Sequence, residues 1–108
     1  MLITKEAKFG KLLQIAITIQ ETKIINAKIT GDFFLYPEEK ITALEQAITS
    51  FSLGDEPTIA KSKLTKQLTS ASEHVTIVGF SIENLSQLIC EAINDYEQQL
   101  ASHPHNNK

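Results

Sequence analysis

Hydrophobic and polar residues alternate along two stretches near the start of the chain, and this pattern predicts two β-strands. In residues 11–20 the apolar side chains occupy every second position, namely Leu13, Ile15, Ile17 and Ile19. Residues 23–30 repeat the pattern, with Ile25, Ala27 and Ile29 on one face. A period of two is typical of a strand with one buried and one wet face. Because only Glu21 and Thr22 separate the two stretches, we expect the strands to be antiparallel.

Two weaker signals indicate further extended segments. Residues 2–9 place Ile3, Ala7 and Phe9 at odd positions, although Lys5 interrupts the pattern. We interpret this stretch as an edge strand that ends at Gly10. Residues 74–78 are short and β-branched, which predicts a short strand or a buried extended segment.

Three later stretches carry apolar residues at helical spacing and predict three helices. The first covers residues 37–50, because Pro37 and two acidic residues suit the start of a helix. The second covers residues 57–68 and is followed by a polar loop at 69–74. The third covers residues 82–100, with Ser81 as its N-cap.

The predicted elements define one α+β domain over residues 1–100. Its antiparallel sheet has two to three strands, each with one wet face, so the helices must pack on the other face. Residues 101–108 are polar and contain a proline, which predicts a flexible C-terminal tail.

Composition narrows the range of functions. The 108 residues suffice for one domain. Ten basic residues, all of them lysine, against thirteen acidic ones give a net charge of −3. Binding to a nucleic-acid backbone favours a basic surface and arginine, so we expect no nucleic-acid partner. The sequence has neither a leader peptide nor an apolar run long enough for a membrane span, so we expect a cytoplasmic protein without a membrane partner.

The single thiol and the three imidazoles do not combine into a recognisable site. Cys90 lies mid-helix, about 140° from the centre of the apolar stripe at about 100° per residue, and so on a flank. A reactive thiol favours a helix N-terminus or a neighbouring histidine, and Cys90 has neither. His103 and His105 flank a proline in the tail without a third metal ligand, and His74 is expected in a loop.

Carboxylates and glycines also lack the spacing of an active site. The pairs Glu38–Glu39 and Asp55–Glu56 are adjacent residues that diverge by about 100° on a helix, so neither pair converges on one atom. The four glycines are isolated, so no phosphate-binding loop is present in the sequence. We therefore predict no catalytic residue and no metal site in this chain.

The stretch from Gly31 to Phe34 is unusual. A glycine at the end of a strand permits a sharp turn, and Asp32 can accept backbone hydrogen bonds there. Phe33 and Phe34 are adjacent and, if extended, point to opposite sides. One would anchor the first helix at Leu44 and Ile48. The other would either complete a structural corner or contact a partner.

The order of these segments resembles the accessory (C-terminal) domain of lipoate–protein ligases. The resemblance runs from about Phe9 to Tyr96. It rests on Lys11-Leu12-Leu13 and the alternating strand, residues 23–30, Gly31-Asp32-Phe33-Phe34, Pro37-Glu38, and residues 78–83 before an amphipathic helix. One departure is Phe9-Gly10-Lys11, where many free-standing members carry two glycines before the lysine.

The resemblance implies a fold similar to SufE and NifU proteins and a separate small subunit without catalytic residues. Its partner would be a catalytic ligase subunit, in a heterodimer, that uses lipoate, ATP and Mg to form lipoyl-adenylate. That subunit then transfers lipoyl to a lysine of a lipoyl-domain protein. The accessory chain would bind no cofactor alone. We expect the contact with this partner or its substrate cleft to involve Lys11, Gly31, Asp32, Phe33 and Phe34.

Two other classes remain open at this point. The first is a SufE/NifU-like protein-interaction or sulfur-handling module, which would need a reactive, exposed cysteine that Cys90 does not provide. The second is a small independent enzyme, for which the sequence offers no nucleophile with an adjacent base.

Overall fold

The computed structural model describes residues 1–102, which form two antiparallel sheets and three helices; the histidines of the predicted tail, His103 and His105, lie outside these residues. The elements in chain order are β1 (Leu2–Lys8), β2 (Leu12–Gln20), β3 (Lys23–Gly31), β4 (Phe34–Tyr36), α1 (Lys40–Thr49), α2 (Pro57–Ala71), β5 (Thr76–Val78) and α3 (Ile82–Ser102).

The predicted α+β fold is confirmed. Strands β1, β2 and β3 form an antiparallel meander, and β4 pairs with β5 in a separate two-stranded ribbon. Helix α1 packs on β3 and α3 packs on β1 and β2, while α2 lies against both helices. The alternating residues of β2 supply the centre of the core together with aliphatic side chains of the helices, among them Leu13, Ile15, Ile17, Ile19, Leu44, Ile48, Leu85, Leu88 and Ile89.

Strand β3 contains a bulge, and the prediction that Ile25 faces the core is wrong. Thr18 is paired with Asn26, whereas the next residue of β2, Ile19, is paired with Ile24. One extra residue on β3 shifts the alternation, because a bulge places two residues opposite one. Ile24 is therefore buried, and Ile25 is 54% exposed.

Lys5, which interrupts the pattern of β1, lies on the inner side of the strand and contacts α3. Its Nζ lies 2.9 Å from Asp95 Oδ2, and both side chains keep part of their surface in water. The hydrogen bond to the Asp95 carboxylate raises the pKa of Lys5. Because both side chains remain partly in water, the pair contributes little to the stability of the fold.

The three helices begin or end at residues that differ from the predicted ones. Residues 37–39 form a turn, closed by the Lys40 N–H that donates to the Pro37 carbonyl, so α1 begins three residues later than predicted. Helix α2 continues to Ala71, beyond the predicted end at residue 68, and the Thr69 hydroxyl donates to the Thr65 carbonyl within it. Helix α3 runs to Ser102, two residues beyond its predicted end.

The N-terminus of α3 is capped as predicted. The Asn84 N–H donates to Ser81 Oγ at 3.1 Å, and the Ser81 N–H donates to Asn84 Oδ1 at 2.9 Å. This reciprocal pair satisfies two backbone donors that a helix start otherwise leaves free. The start of α3 is thereby held just after Phe80.

Tyr96 ties α3 to the turn between β2 and β3. Its ring is buried, and its hydroxyl donates to the Glu21 carbonyl at 2.9 Å. Glu21 has a positive φ of 59°, so this hydrogen bond holds a turn that the backbone alone does not favour.

We expect Tyr96→Phe to lower the free energy of unfolding by about 0.5–1.5 kcal/mol, the net value of one hydrogen bond. Tyr36→Phe is the matched control, since Tyr36 is 64% exposed and should leave stability unchanged. Urea titration followed by circular dichroism measures both variants. Equal stability of Tyr96→Phe and the wild type would contradict a tethering role for the hydroxyl.

Candidate functional site

The end of β3 approaches the start of β2 so closely that only glycine fits there. Gly31 is paired with Leu13 and has a φ of +145°. A Cβ at this position would lie 2.2 Å from the Leu12 carbonyl oxygen. The same oxygen accepts a hydrogen bond of 3.0 Å from the Asp32 N–H. The chain therefore turns away from the sheet directly after Gly31.

A second glycine, Gly79, joins this turn from the other end of the sequence. Its φ is +120°, and a Cβ on it would lie 2.9 Å from Lys11 Cβ and 3.0 Å from Phe33 Cβ. The Gly79 carbonyl accepts the Lys11 N–H at 3.1 Å. We call the place where Lys11, residues 31–34 and residues 79–80 meet the glycine corner.

The two adjacent phenylalanines of the corner point in different directions. Phe33 is half-buried and meets Phe80 edge to face, with ring centroids 4.9 Å apart and planes at 89°. Such a geometry is favourable for an aromatic pair. Phe34 is 55% exposed. The contact with Phe80 was not predicted from the sequence, which pointed to Leu44 and Ile48 as the anchor.

The ribbon of β4 and β5 presents an apolar surface beside the corner. Phe34 lies opposite Val78, and Tyr36 lies opposite Thr76. Residues opposite each other, and those two positions along, share one face of a sheet. Phe34, Tyr36 and the 52%-exposed Val78 therefore form one exposed surface, which we call the ribbon face. On the other side of the ribbon Leu35 is buried in the core.

Apart from Phe34, the residues of the ribbon face are not predicted by the sequence pattern. No strand is predicted for residues 34–36 from the sequence, and the short strand predicted in residues 74–78 has no predicted partner. Two short stretches of strand-forming residues, Phe-Leu-Tyr and Thr-Ile-Val, were the sequence feature that could have predicted the ribbon. They lie about forty residues apart and pair only in the folded chain.

A groove of about 330 Å³ separates the corner from the start of α1. Glu38 is the only charged residue that lines it; the other lining residues are Thr30, Gly31, Phe33, Phe34, Leu35 and Ile41. Asp32 is exposed next to the groove. Within residues 1–102, neither carboxylate forms an ion pair.

The structure thus brings the predicted residues Lys11, Gly31, Asp32, Phe33 and Phe34 to one end of the domain. Lys11 and Asp32 are exposed, so their charged groups face solvent. Lys11 also forms no ion pair within the described part of the chain. The arrangement offers an apolar surface flanked by charges of both signs, which suits contact with another macromolecule.

Cys90 lies on the flank of α3, half-buried, in agreement with the helical periodicity. Burial raises the pKa of the Cys90 thiol, opposed in part by the nearby charge of Lys61. The thiol is thus less prone to ionise than a free cysteine, whereas a reactive cysteine needs the opposite shift.

Other candidate groups stay apart in the described residues. His74 is exposed and has a positive φ of 63° in the loop before β5. Among residues 1–102, no three His, Cys, Asp or Glu side chains are close enough to hold a metal ion. Over the same residues, no helix has the length and apolar character to cross a lipid bilayer.

Comparison with known proteins gives a structural likeness but no sequence family. No protein-family model and no curated protein matches the chain. A solved structure from Thermoplasma acidophilum, described as an archaeal lipoylation system with a bi-partite lipoate protein ligase and its E2 lipoyl domain, contains a chain of similar fold. The TM-score is 0.64 at 21% sequence identity, and the alignment covers 82% of this chain and 93% of that chain.

This likeness establishes a shared fold with a component of a lipoylation system. Because most of each chain is aligned, the two are of similar length, and the fold common to them includes most of the domain described above.

We expect Gly31→Ala to destabilise the chain more than Gly54→Ala does. Both glycines have a positive φ, which costs an alanine about 1–3 kcal/mol. Gly54 has open space around its Cα, whereas at Gly31 overlap with the Leu12 carbonyl adds roughly 1–3 kcal/mol. Urea unfolding of the two variants checks the difference. Equal losses would mean that the close approach at Gly31 is relaxed easily.

Proposed function

We propose that this chain is the accessory subunit of a bipartite lipoate–protein ligase. The observation that carries the proposal is the structural likeness, over 82% of this chain and 93% of the other, to a component of a system described as bi-partite. The resemblance of residues 9–96 to the accessory domain, drawn from the sequence alone, supports the same assignment.

The glycine corner and the ribbon face supply the contact surface that an accessory subunit needs. Large aromatic side chains held on a rigid backbone are typical anchors of protein interfaces. Phe34 fits that description, because it belongs to the paired strand β4 next to the closely packed corner and its ring is exposed. Lys11, Gly31, Asp32, Phe33 and Phe34 form the part of the surface that contacts the catalytic subunit or the rim of its substrate cleft.

In this proposal the reacting groups belong to the partner. The catalytic subunit, in the cytoplasm, forms lipoyl-adenylate from lipoate and ATP with Mg and transfers lipoyl to a lysine of a lipoyl domain. A mixed anhydride such as an adenylate is lost to hydrolysis if water reaches it, so closure by a second domain protects it. The accessory chain completes that closed state through the corner.

Lipoate-dependent exchange of pyrophosphate into ATP tests the proposal. The probe is a lipoate–protein ligase catalytic subunit without an accessory domain, encoded in the same genome. We expect no exchange with either chain alone and exchange with the two mixed. Exchange by the isolated chain, or none by the mixture, would overturn the proposal.

Cys90→Ser is the internal control of the same assay. Its thiol is half-buried with a raised pKa, so the reconstituted activity should stay unchanged. Loss of exchange with the fold intact would instead favour a sulfur-handling role.

We expect Phe34→Ala to weaken the complex by about 1–3 kcal/mol, roughly 5- to 150-fold in Kd, and to leave the melting temperature nearly unchanged. Phe33→Ala should lower stability instead, because it removes the ring contact with Phe80. Ile59→Ala is the matched control, an exposed apolar residue on α2 outside the corner. Thermal melts and titration calorimetry against the catalytic subunit separate the effects. If Phe34→Ala binds as well as the wild type, the corner has only a structural role.

A further inference from the structure

The described chain has sheet edges that differ in how they are protected. An edge strand presents unpaired N–H and C=O groups, and proteins that stay monomeric block such edges with charges, bulges or covering groups. β1 carries Lys5, Glu6 and Lys8 along its seven residues. On β3, the outward Ile29 N–H donates to Glu45 Oε2 of α1 at 2.9 Å, so a side chain covers that edge.

β5 has none of these protections. It consists of Thr76, Ile77 and Val78, with no charge, proline or bulge. It pairs with β4 on one side, and within residues 1–102 no second strand pairs with its other edge, although the Ile77 side chain packs against the core. Helix α1, by contrast, packs on β4. The open edge of the ribbon is therefore the outer edge of β5.

This bare edge borders the ribbon face. Val78 lies opposite Phe34, so a strand added beside Val78 would bring its own side chains onto the same face. In an antiparallel pair the backbone groups of successive residues point alternately to the two sides. At least one of residues 76–78 therefore directs its N–H and C=O outward, away from β4.

The charged residues near the ribbon indicate which charge a binding partner must carry. Glu38 is the only charged residue lining the groove next to Phe34, Asp32 is exposed beside it, and neither has an ion-pair partner within residues 1–102. A partner that buries Glu38 and Asp32 must supply a basic group for them, and one that also buries Lys11 must supply an acidic group, because an unpaired charge is costly to bury.

We propose that β5 accepts an extended strand of the catalytic ligase subunit, with apolar side chains toward Phe34 and Val78 and a Lys or Arg toward Glu38. This inference rests on the proposed function for the identity of the partner. The open edge, the exposed apolar face and the Glu38 carboxylate in the groove together specify its chemistry. Main-chain hydrogen bonds along an edge give affinity, and side-chain contacts give specificity.

Two experiments on the complex with the lipoate–protein ligase catalytic subunit test this proposal: a substitution in β5 and a measurement of amide hydrogen exchange. Val78→Lys places a charge on the edge strand and should weaken the complex at least tenfold. Ile25→Lys is the matched control, because Ile25 is also an exposed branched residue on a strand, with 54% exposure against 52% for Val78. It should change Kd less than twofold. Circular dichroism melts of both variants verify that they fold.

Amide hydrogen exchange measured by NMR distinguishes strand addition from contact with the face alone. We expect at least one amide of residues 76–78 to exchange tenfold or more slowly in the saturated complex than in the free chain. Normal binding by Val78→Lys, or binding without added protection at these amides, overturns strand addition and leaves the proposed function standing.

Failure of the wild-type chain to bind the catalytic subunit overturns the proposed function and the named occupant together. Sedimentation of the free chain resolves the remaining alternative. Self-association that slows exchange at residues 76–78 and is abolished by Val78→Lys would assign the edge to a second copy of the chain, and would overturn the proposal.

Discussion

The close contact between the Gly31 backbone and the Leu12 carbonyl is the constraint on which the rest of this end of the molecule depends. Antiparallel pairing of β2 with β3 carries the chain to this point, and the missing side chain lets the two backbones touch. The Leu12 oxygen then accepts the Asp32 N–H, which directs the chain out of the sheet. Only after this turn can β4 run beside β5 rather than continue β3.

Gly79 brings distant parts of the sequence into contact at the glycine corner. Gly79 allows Lys11 and Phe33 to approach the same stretch of backbone, and Phe80 receives the Phe33 ring. The capped start of α3 follows directly. An exposed aromatic residue on such a support loses little conformational entropy when it binds, which is the property expected of an interface anchor.

Local patterns predicted the parts of the fold that depend on local physics. The alternation in β2 and the capping residues of α3 were sufficient, because strand period and cap chemistry are properties of short segments. The face of β3 was predicted wrongly, because the bulge at Ile25 is a property of the pairing between strands. The start of α1 was placed three residues early, because the acidic residues after Pro37 suit a turn as well as a helix.

In the candidate site, too, the residues with a local sequence signal were predicted and those that depend on strand pairing were not. Gly31, Asp32, Phe33 and Phe34 stood out in the sequence because a glycine and an aromatic pair follow a clear strand. Tyr36 and Val78 did not, because neither is distinguished until β4 and β5 pair. The partner of Phe33 was unpredictable for the same reason, since Phe80 lies 47 positions away and no local pattern links the two rings.

The contacts at Gly79 also determine at which point of synthesis the glycine corner can form. A growing chain that ends before residue 76 already contains Lys11 and residues 31–34, but it lacks both β5 and the Gly79 backbone that contacts Lys11 and Phe33. Its ribbon has one strand, and Phe33 has no ring to pack against. The glycine corner and the ribbon face therefore form only on chains that extend to Phe80, just before the last helix, so shorter copies do not present them.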